Sequence, residues 1–480
     1  MNYRMVFSMI GRLLLLEAGL LLFPAACSAI YGESSVWALL MTAGVALAVG
    51  GGLVLLCRTK KQAIYAKEGF IIAALSWIFL SAVGALPFVL SGEMTSYVDA
   101  FFETVSGFTT TGASVITDLN RLSHGILFWR SFTHWVGGMG VLVLMMALVP
   151  SGSGRTIHVM RAEAAGPIVG KLVPRLRDTA KILYLIYLVM TVVQVIVLLI
   201  AKMPLFESLL ISFGTAGTGG FGLPTPCSDF TAAQQWIVTI FMLLFGINFN
   251  LYYLLLLRAF RPVAGNRELW LYGGVFVAST ALITVNVMSR FASFGEGLRH
   301  AAFTVASVVT TTGYATTDFN LWPGLSRSII FILLFVGGCA GSTAGGLKIS
   351  RVMLLFKTVG RELKRLVHPR SVSVVQLEGK RVEETTVHST SAYFVLYMAL
   401  IGVVFLILSF EASFSLEGNL TAAITCVNNV GPGLSEVGPY GSFAGYSDFS
   451  TAVLSLTMLL GRLEIYPLML TLMPATWTKD

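Results

Sequence analysis

Four short glycine-centred segments, each set between two long apolar stretches, constrain this chain more than any other feature. They are Thr109-Thr110-Thr111-Gly112-Ala113, Ala216-Gly217-Thr218-Gly219-Gly220, Thr310-Thr311-Thr312-Gly313-Tyr314 and Asn428-Asn429-Val430-Gly431-Pro432. Glycines 112, 219, 313 and 431 lie 107, 94 and 118 residues apart, the signature of an internal repeat. A short amphipathic run precedes each, such as Ala100 to Ser106 or Ala301 to Val308, and predicts half a helix. The repeating unit is span, half-helix, glycine loop, span. Irregular backbone at membrane depth is tolerated only where it is buried in protein or lines a water-filled cavity. Four such loops around one axis set a ring of backbone carbonyls on a cation path, where they replace an ion's hydration shell.

Composition agrees with a membrane setting. The chain is 55% apolar and only 12% charged, against about 25% charged in soluble domains. Ten apolar stretches, near 9–30, 36–57, 69–90, 129–150, 182–202, 236–257, 269–288, 327–347, 391–410 and 451–473, approach the roughly 20 residues that cross a bilayer. None reads as a cleaved signal peptide, because the first is too long for an h-region. The formal charge of +8 is topogenic first, with anionic lipid or an acidic partner second: Arg4, Arg12, Lys479 and the segments 58–67, 155–181, 258–267 and 348–381 hold 25 of the 32 Lys and Arg. Alternate loops hold Arg121, Arg130, Lys202, Arg290, Arg299 and Arg327, and 411–450 holds none. This asymmetry predicts cytoplasmic termini, outward glycine loops and no nucleic-acid partner. The five cysteines show neither paired nor metal-ligand spacing.

The expected fold is an all-α integral membrane protein, an N-terminal two-helix hairpin (1–67) followed by four span–loop–span repeats arranged pseudo-four-fold around one pore. The repeats are expected at 68–160, 178–260, 268–366 and 389–480, with a cytoplasmic linker at 367–388. No segment is large enough for a soluble nucleotide-binding domain, so a regulator must dock from outside the chain, chiefly on Lys348 to Arg381 and on Arg155 to Lys181.

Glycine suits positions where φ turns positive, so the carbonyls expected on the path belong to each glycine and the two residues before it. These are Thr110, Thr111 and Gly112; Gly217, Thr218 and Gly219; Thr311, Thr312 and Gly313; Asn429, Val430 and Gly431. They predict potassium-binding positions with preference over sodium. The fourth loop departs from the Thr-rich pattern and predicts fewer well-formed ion sites. Gly217 to Gly222 is no phosphate loop, since that motif requires a soluble βαβ setting.

Two further features lie inside the membrane. Arg462 stands within the last span, where a charge costs at least about 2.5–3.5 kcal/mol. An ion pair with Glu464 explains it structurally; a cation below a cation filter favours control of permeation. The segment Gly337-Gly338-Cys339-Ala340-Gly341-Ser342-Thr343-Ala344-Gly345-Gly346-Leu347-Lys348 is too glycine-rich for a helix, each glycine costing about 1 kcal/mol. It predicts a break in the span and a loop, with Gly337, Gly338, Gly341, Gly345 and Gly346, that obstructs the pore.

These residues, with Phe102-Glu103-Thr104-Val105-Ser106-Gly107-Phe108 and Gly461-Arg462-Leu463-Glu464, resemble the TrkH members of the Trk/Ktr/HKT superfamily of potassium transporters over nearly the whole length. The resemblance implies potassium uptake across an inner membrane, with rubidium accepted and sodium less so. It also implies a homodimer with one pore per subunit, gating by the Gly-rich loop with Arg462, and a cytosolic nucleotide-binding TrkA-like ring. No cofactor is implied for this chain. The second loop, following Phe213-Gly214-Thr215-Ala216-Gly217, is richer in glycine than the family pattern.

A sodium- or proton-coupled secondary transporter is the alternative. That class usually shows inverted repeats and midplane ionisable groups, whereas this chain shows four parallel repeats and little midplane charge beyond Arg462 and Glu464. A membrane enzyme finds no support, because His134 alone in an apolar span reads as a packed side chain.

Overall fold

The computed structural model describes residues 1–58, 66–140, 176–370, 373–377 and 380–477. Most of the Pro150 to Asp178 connection, Lys60, Lys61, the end of the 129–150 span, Glu378, Gly379 and Lys479 lie outside the described residues. So does most of the second predicted docking segment, Arg155 to Lys181.

The described chain is helical apart from one short antiparallel pairing, Gln376–Leu377 with Lys380–Arg381. Helices Tyr3–Leu20 and Ser35–Leu56, joined through Leu22–Ile30, form the N-terminal hairpin and pack beside the helix Ala66–Gly84. Four units of like order follow. Their first spans are Ala66–Gly84, Leu176–Ile200, Arg267–Val287 and Glu384–Leu408. Their half-helices are Tyr97–Phe108, Leu205–Gly217, Phe294–Val309 and Leu416–Asn428, and their second helices are His124–Gly138, Ala232–Phe245, Gly324–Leu333 and Asp448–Arg462. The fourth unit starts at Glu384, inside the stretch read as a 367–388 linker.

The break expected in the 327–347 stretch is present, and it is not the only apolar stretch that fails to form one continuous helix. Among the described residues six helices are long and apolar enough to cross a membrane, the two of the hairpin and the four first spans. The second helices are shorter: 15 residues, as in His124–Gly138, rise about 22 Å at 1.5 Å per residue, against a hydrocarbon core of about 30 Å. Each ends before the apolar stretch that contains it does. Ala232–Phe245 turns by 90° into Phe249–Leu256; Gly324–Leu333 gives way to the Gly-rich loop before Ile349–Val367. Asp448–Arg462 is stopped by left-handed backbone at Glu464 and Ile465. Hydropathy cannot show such breaks, because apolar residues continue through them.

Local sequence explains the half-helices. Ser96, Ser293 and Ser415 cap three of them by accepting from the amides of Asp99, Glu296 and Gly418. Asp99, Glu207, Glu296 and Glu417 occupy the four first turns, where a carboxylate complements the positive end of the helix dipole. The negative ends then point into the protein, at the glycine loops. The half-helices of units 1, 2 and 3 each pack on the second helix of the preceding unit in cyclic order, unit 4 preceding unit 1. That packing brings the four loops together.

Candidate functional site

Each half-helix ends in the same backbone turn. A non-glycine residue adopts left-handed φ, and a glycine with positive φ follows two residues later. The pairs are Thr110 (56°) and Gly112 (83°), Thr218 (57°) and Gly220 (64°), Thr311 (56°) and Gly313 (89°), Asn429 (53°) and Gly431 (94°). The residue between them donates its N–H five residues back. Thr111 bonds Ser106 O at 2.9 Å, Gly219 bonds Gly214 O at 2.8 Å, Thr312 bonds Ser307 O at 2.8 Å and Val430 bonds Thr425 O at 3.0 Å.

This pattern shifts the register of the second loop by one residue. Gly220 is the counterpart of Gly112, Gly313 and Gly431, and Gly219 stands where the others carry Thr111, Thr312 and Val430. Gly217, expected among the carbonyls on the path, is instead the last residue of its half-helix, pressed against the His134 carbonyl. The Thr218-Gly219 pair resembles the Thr-Gly pairs of the first and third loops but stands one residue earlier in the turn. The triplets in equivalent positions are Thr110-Thr111-Gly112, Thr218-Gly219-Gly220, Thr311-Thr312-Gly313 and Asn429-Val430-Gly431.

The loops touch in a closed cycle. A Cβ added to Gly112 would collide with the carbonyl oxygen of Gly219, one on Gly220 with that of Thr312, and one on Gly313 with that of Val430. A Cβ on Gly431 would stand 2.7 Å from the carbonyl oxygen of Thr111. Four times over, the carbonyl before one glycine lies against the glycine of the preceding loop. Glycine is required by both φ and space. The surrounding side chains, Thr110, Thr111, Thr218, Thr311, Thr312, Asn429 and Val430, are buried.

Different groups hold each loop from behind. Glu103 and Arg130 form a fully buried pair at 2.5 Å. Glu103 accepts from Ser114 and Val115 of the first loop, and Arg130 donates to Gly222 O of the second at 2.8 Å and lies 3.6 Å above the Phe221 ring. His134 stacks on Phe221 at 4.1 Å, and its ring fills the space a side chain at Gly219 would need. That ring accounts for glycine at position 219. Asn429 Nδ2 donates to Thr111 Oγ1 at 2.9 Å and to Met458 O at 3.0 Å, tying loop 4 to loop 1. The sequence reading missed the Glu103–Arg130 pair; the signal was an Arg at the start of an apolar span with a Glu in the half-helix before it.

The Gly-rich loop lies directly below. Gly345 N donates to Thr311 Oγ1 at 2.6 Å, Cys339 N to Gly246 O at 2.9 Å, and Ala340 N to Glu268 Oε1 at 2.7 Å. Phe249 N donates to Gly341 O at 3.0 Å. Gly341 and Gly346 take positive φ, Gly337 packs against Gly345 and Gly346, and Gly338 approaches Gly246. Arg462 ties this loop to two units: Nη1 donates to Thr343 O at 3.1 Å, Nη2 to Gly137 O and Gly138 O at 2.6 and 2.8 Å. Glu464 bonds Arg351 at 2.5 Å. Lys348, with left-handed φ, is buried and donates to Ala344 O. The segment thus contacts units 2, 3 and 4 directly and unit 1 through Arg462.

Known proteins were compared with this chain. The family model described as "TrkH: Cation transport protein" matches residues 38–265 and 275–478. The "Trk system potassium uptake protein TrkH" of Salmonella typhimurium is 35% identical over 486 residues, covering 100% of both chains. The "Trk system potassium uptake protein TrkG" of Escherichia coli is 32% identical over 492 residues, covering 99% of each. The crystal structure of the potassium transporter TrkH from Vibrio parahaemolyticus superposes with a TM-score of 0.89 at 32% identity, covering 100% of both chains.

The His134–Gly219 contact predicts a coupled pair. Gly219→Ala alone should destabilise the detergent-solubilised protein, and His134→Ala should relieve that loss, with a coupling of about 0.5–3 kcal/mol. Gly220→Ala should find no such rescue, since its obstacle is the Thr312 carbonyl. Additive unfolding free energies for the Gly219 and His134 variants would contradict the packing argument.

Proposed function

The chain belongs to the TrkH family of cation transport proteins, and from that premise we propose that it takes up potassium through a channel-like pore along the axis of the four loops. The observation that carries this reading is the closed cycle of carbonyls from Thr111, Gly219, Thr312 and Val430 at the negative ends of four half-helices. Carbonyl oxygens supply the field that replaces hydration water, and the helix ends add partial negative charge where a cation would sit. The remaining members of the triplets, Thr110, Gly112, Thr218, Gly220, Thr311, Gly313, Asn429 and Gly431, extend the path along its axis. Potassium and rubidium are its ions, and sodium passes less readily. In liposomes containing the purified protein, flux of potassium, rubidium, sodium and lithium should rank in that sense. Gly313→Ser should weaken the preference for potassium over sodium. Selectivity that is unchanged in single variants of Gly112, Gly220, Gly313 and Gly431 would rule out the filter.

Below the filter, the Gly-rich segment with Gly337, Gly338, Gly341, Gly345 and Gly346 acts as the gate, and Arg462 latches it. What supports this is its contact with units 2, 3 and 4, its link to unit 1 through Arg462, and its bond to Thr311. A cation on the axis also raises the barrier for a permeating cation. Arg462→Ala, or a deletion within 338–346, should raise flux, by about tenfold for each ~1.4 kcal/mol removed from the barrier. Lower flux in both folded variants would make these residues structural props.

The gate is operated by a cytosolic nucleotide-binding ring docking on a homodimer whose basic loops and termini face the cytoplasm. A ligand shifts a gate only through unequal affinity for its two states, and the described residues include no soluble domain to supply that. Arg361 does not serve the docking surface. It is buried and bonded to Glu384 at 2.7 and 2.9 Å. Arg365, Arg370 and Arg381 are exposed. Reversing these three to Glu should weaken regulator binding, most visibly at low salt, as read by co-purification and by association rate. Binding unaffected at low and moderate salt would move the docking surface elsewhere.

A further inference from the structure

At the ends of the spans remote from the half-helices, helix Ile349–Val367 and the start of the third unit's first span enclose a cavity of about 390 Å³. Its lining includes Arg267, Lys357, Arg361, Lys364 and Ser373. Arg361 is committed to Glu384 and Glu362. The other three cations have no carboxylate within 4.0 Å among the described residues. Lys357 Nζ donates to Gln376 O at 2.5 Å, which leaves donors over, as an ammonium carries three. The Ser373 hydroxyl is buried in the wall without a partner among the described residues.

The wall is built rather than incidental. Leu354, Val375, Leu377, Val382 and Val387 form an apolar cluster separate from the main core, and Val382 N donates to Val375 O at 2.9 Å. The short pairing of 376–377 with 380–381 is thereby clamped onto the helix. Three like charges around one cavity repel one another. Burial, and then the Arg267 charge, press the Lys357 ammonium below its usual range. An anion in the cavity offsets that repulsion, and charge-assisted hydrogen bonds to phosphate are among the strongest a protein makes.

We propose that this cavity binds a phosphate-bearing anion, held by Arg267, Lys357 and Lys364 with the Ser373 hydroxyl. Two sources present that chemistry, an anionic lipid headgroup and a soluble phosphate compound. Trp270, close along the helix from Arg267, is 70% exposed, and Phe356 beside Lys357 is 75% exposed. Aromatic side chains collect at membrane interfaces, which sets the cavity at headgroup depth. The volume is also within the range of small-molecule sites.

The full-length protein tests this in two arms. Delipidated protein in detergent is offered phosphatidylglycerol or phosphatidylcholine and read by native mass spectrometry. Protein in nanodiscs of phosphatidylcholine alone is titrated with ATP. The double variant Arg267→Gln, Lys364→Gln should weaken binding about tenfold, that is about 1.4 kcal/mol, in one arm or both. The control Arg365→Gln, outside the lining, should bind as the unaltered protein does. A loss confined to phosphatidylglycerol assigns a headgroup site, a loss confined to ATP assigns a soluble phosphate, and a loss in both assigns a general phosphate site. No binding by the unaltered protein in either arm would overturn the proposal. So would equal affinity of the double variant and the unaltered protein, or an equal loss in the control.

Discussion

The interior of this protein is organised by one backbone contact made four times, the carbonyl of one loop resting on the bare Cα of a glycine in the preceding loop. The contact requires that no side chain stand at Gly112, Gly220, Gly313 or Gly431, and that the chain turn left-handed two residues earlier. Both demands are costly in isolation. Non-glycine residues in the left-handed region persist only where their surroundings over-determine them. Thr110, Thr218, Thr311 and Asn429 meet that condition, for all four are buried and each opens the turn that caps a half-helix. The second helices, the broken spans and the Gly-rich loop are disposed around this ring.

Because the ring is made of backbone, its shape depends on what stands behind it, and the four backings are chemically unlike. An ion pair of Glu103 and Arg130 braces the first two loops, and an imidazole and a phenyl ring brace the second. An amide of the Gly-rich segment donates to a hydroxyl of the third loop, and an Asn side chain links the fourth to the first. Removing one member of a buried ion pair leaves an uncompensated charge and costs about 3–5 kcal/mol. The equivalence of the four loops therefore resides in φ and in hydrogen-bond pattern, while their side-chain environments have diverged. The ring is therefore pseudo-symmetric in its backbone and asymmetric in the side chains behind it.

Arg462 illustrates how a charge is accommodated at membrane depth. Its guanidinium satisfies carbonyl ends freed where two other segments break, Gly137 and Gly138 at the end of a short helix and Thr343 in the Gly-rich loop. Glu464 turns instead to Arg351, so the neighbouring carboxylate that the sequence offers as partner is used elsewhere. The same economy governs Glu268, which accepts from the amides of Ala340 and Ser350 and so pins both ends of the loop. Breaks in helices free backbone groups, and Arg462 and Glu268 stand where those groups are.

The sequence by itself determined the membrane setting, the fourfold repeat, the half-helices and the places where glycine recurs, because periodicity and composition act locally and leave their mark residue by residue. It also determined that Gly337 to Gly346 interrupts a span, since helix propensity is a local property. Only the tertiary structure decided the register of the second loop, because the ring of His134, more than eighty residues away in sequence, occupies the space beside Gly219. It alone decided that the second helices stop short of a full span, and that Arg130 is a buried brace and not a solvated loop charge. It likewise decided that Arg361 is paired while Arg365 is exposed. Each of these depends on which distant atom fills a given volume or accepts a given hydrogen bond. No local pattern of residues encodes that.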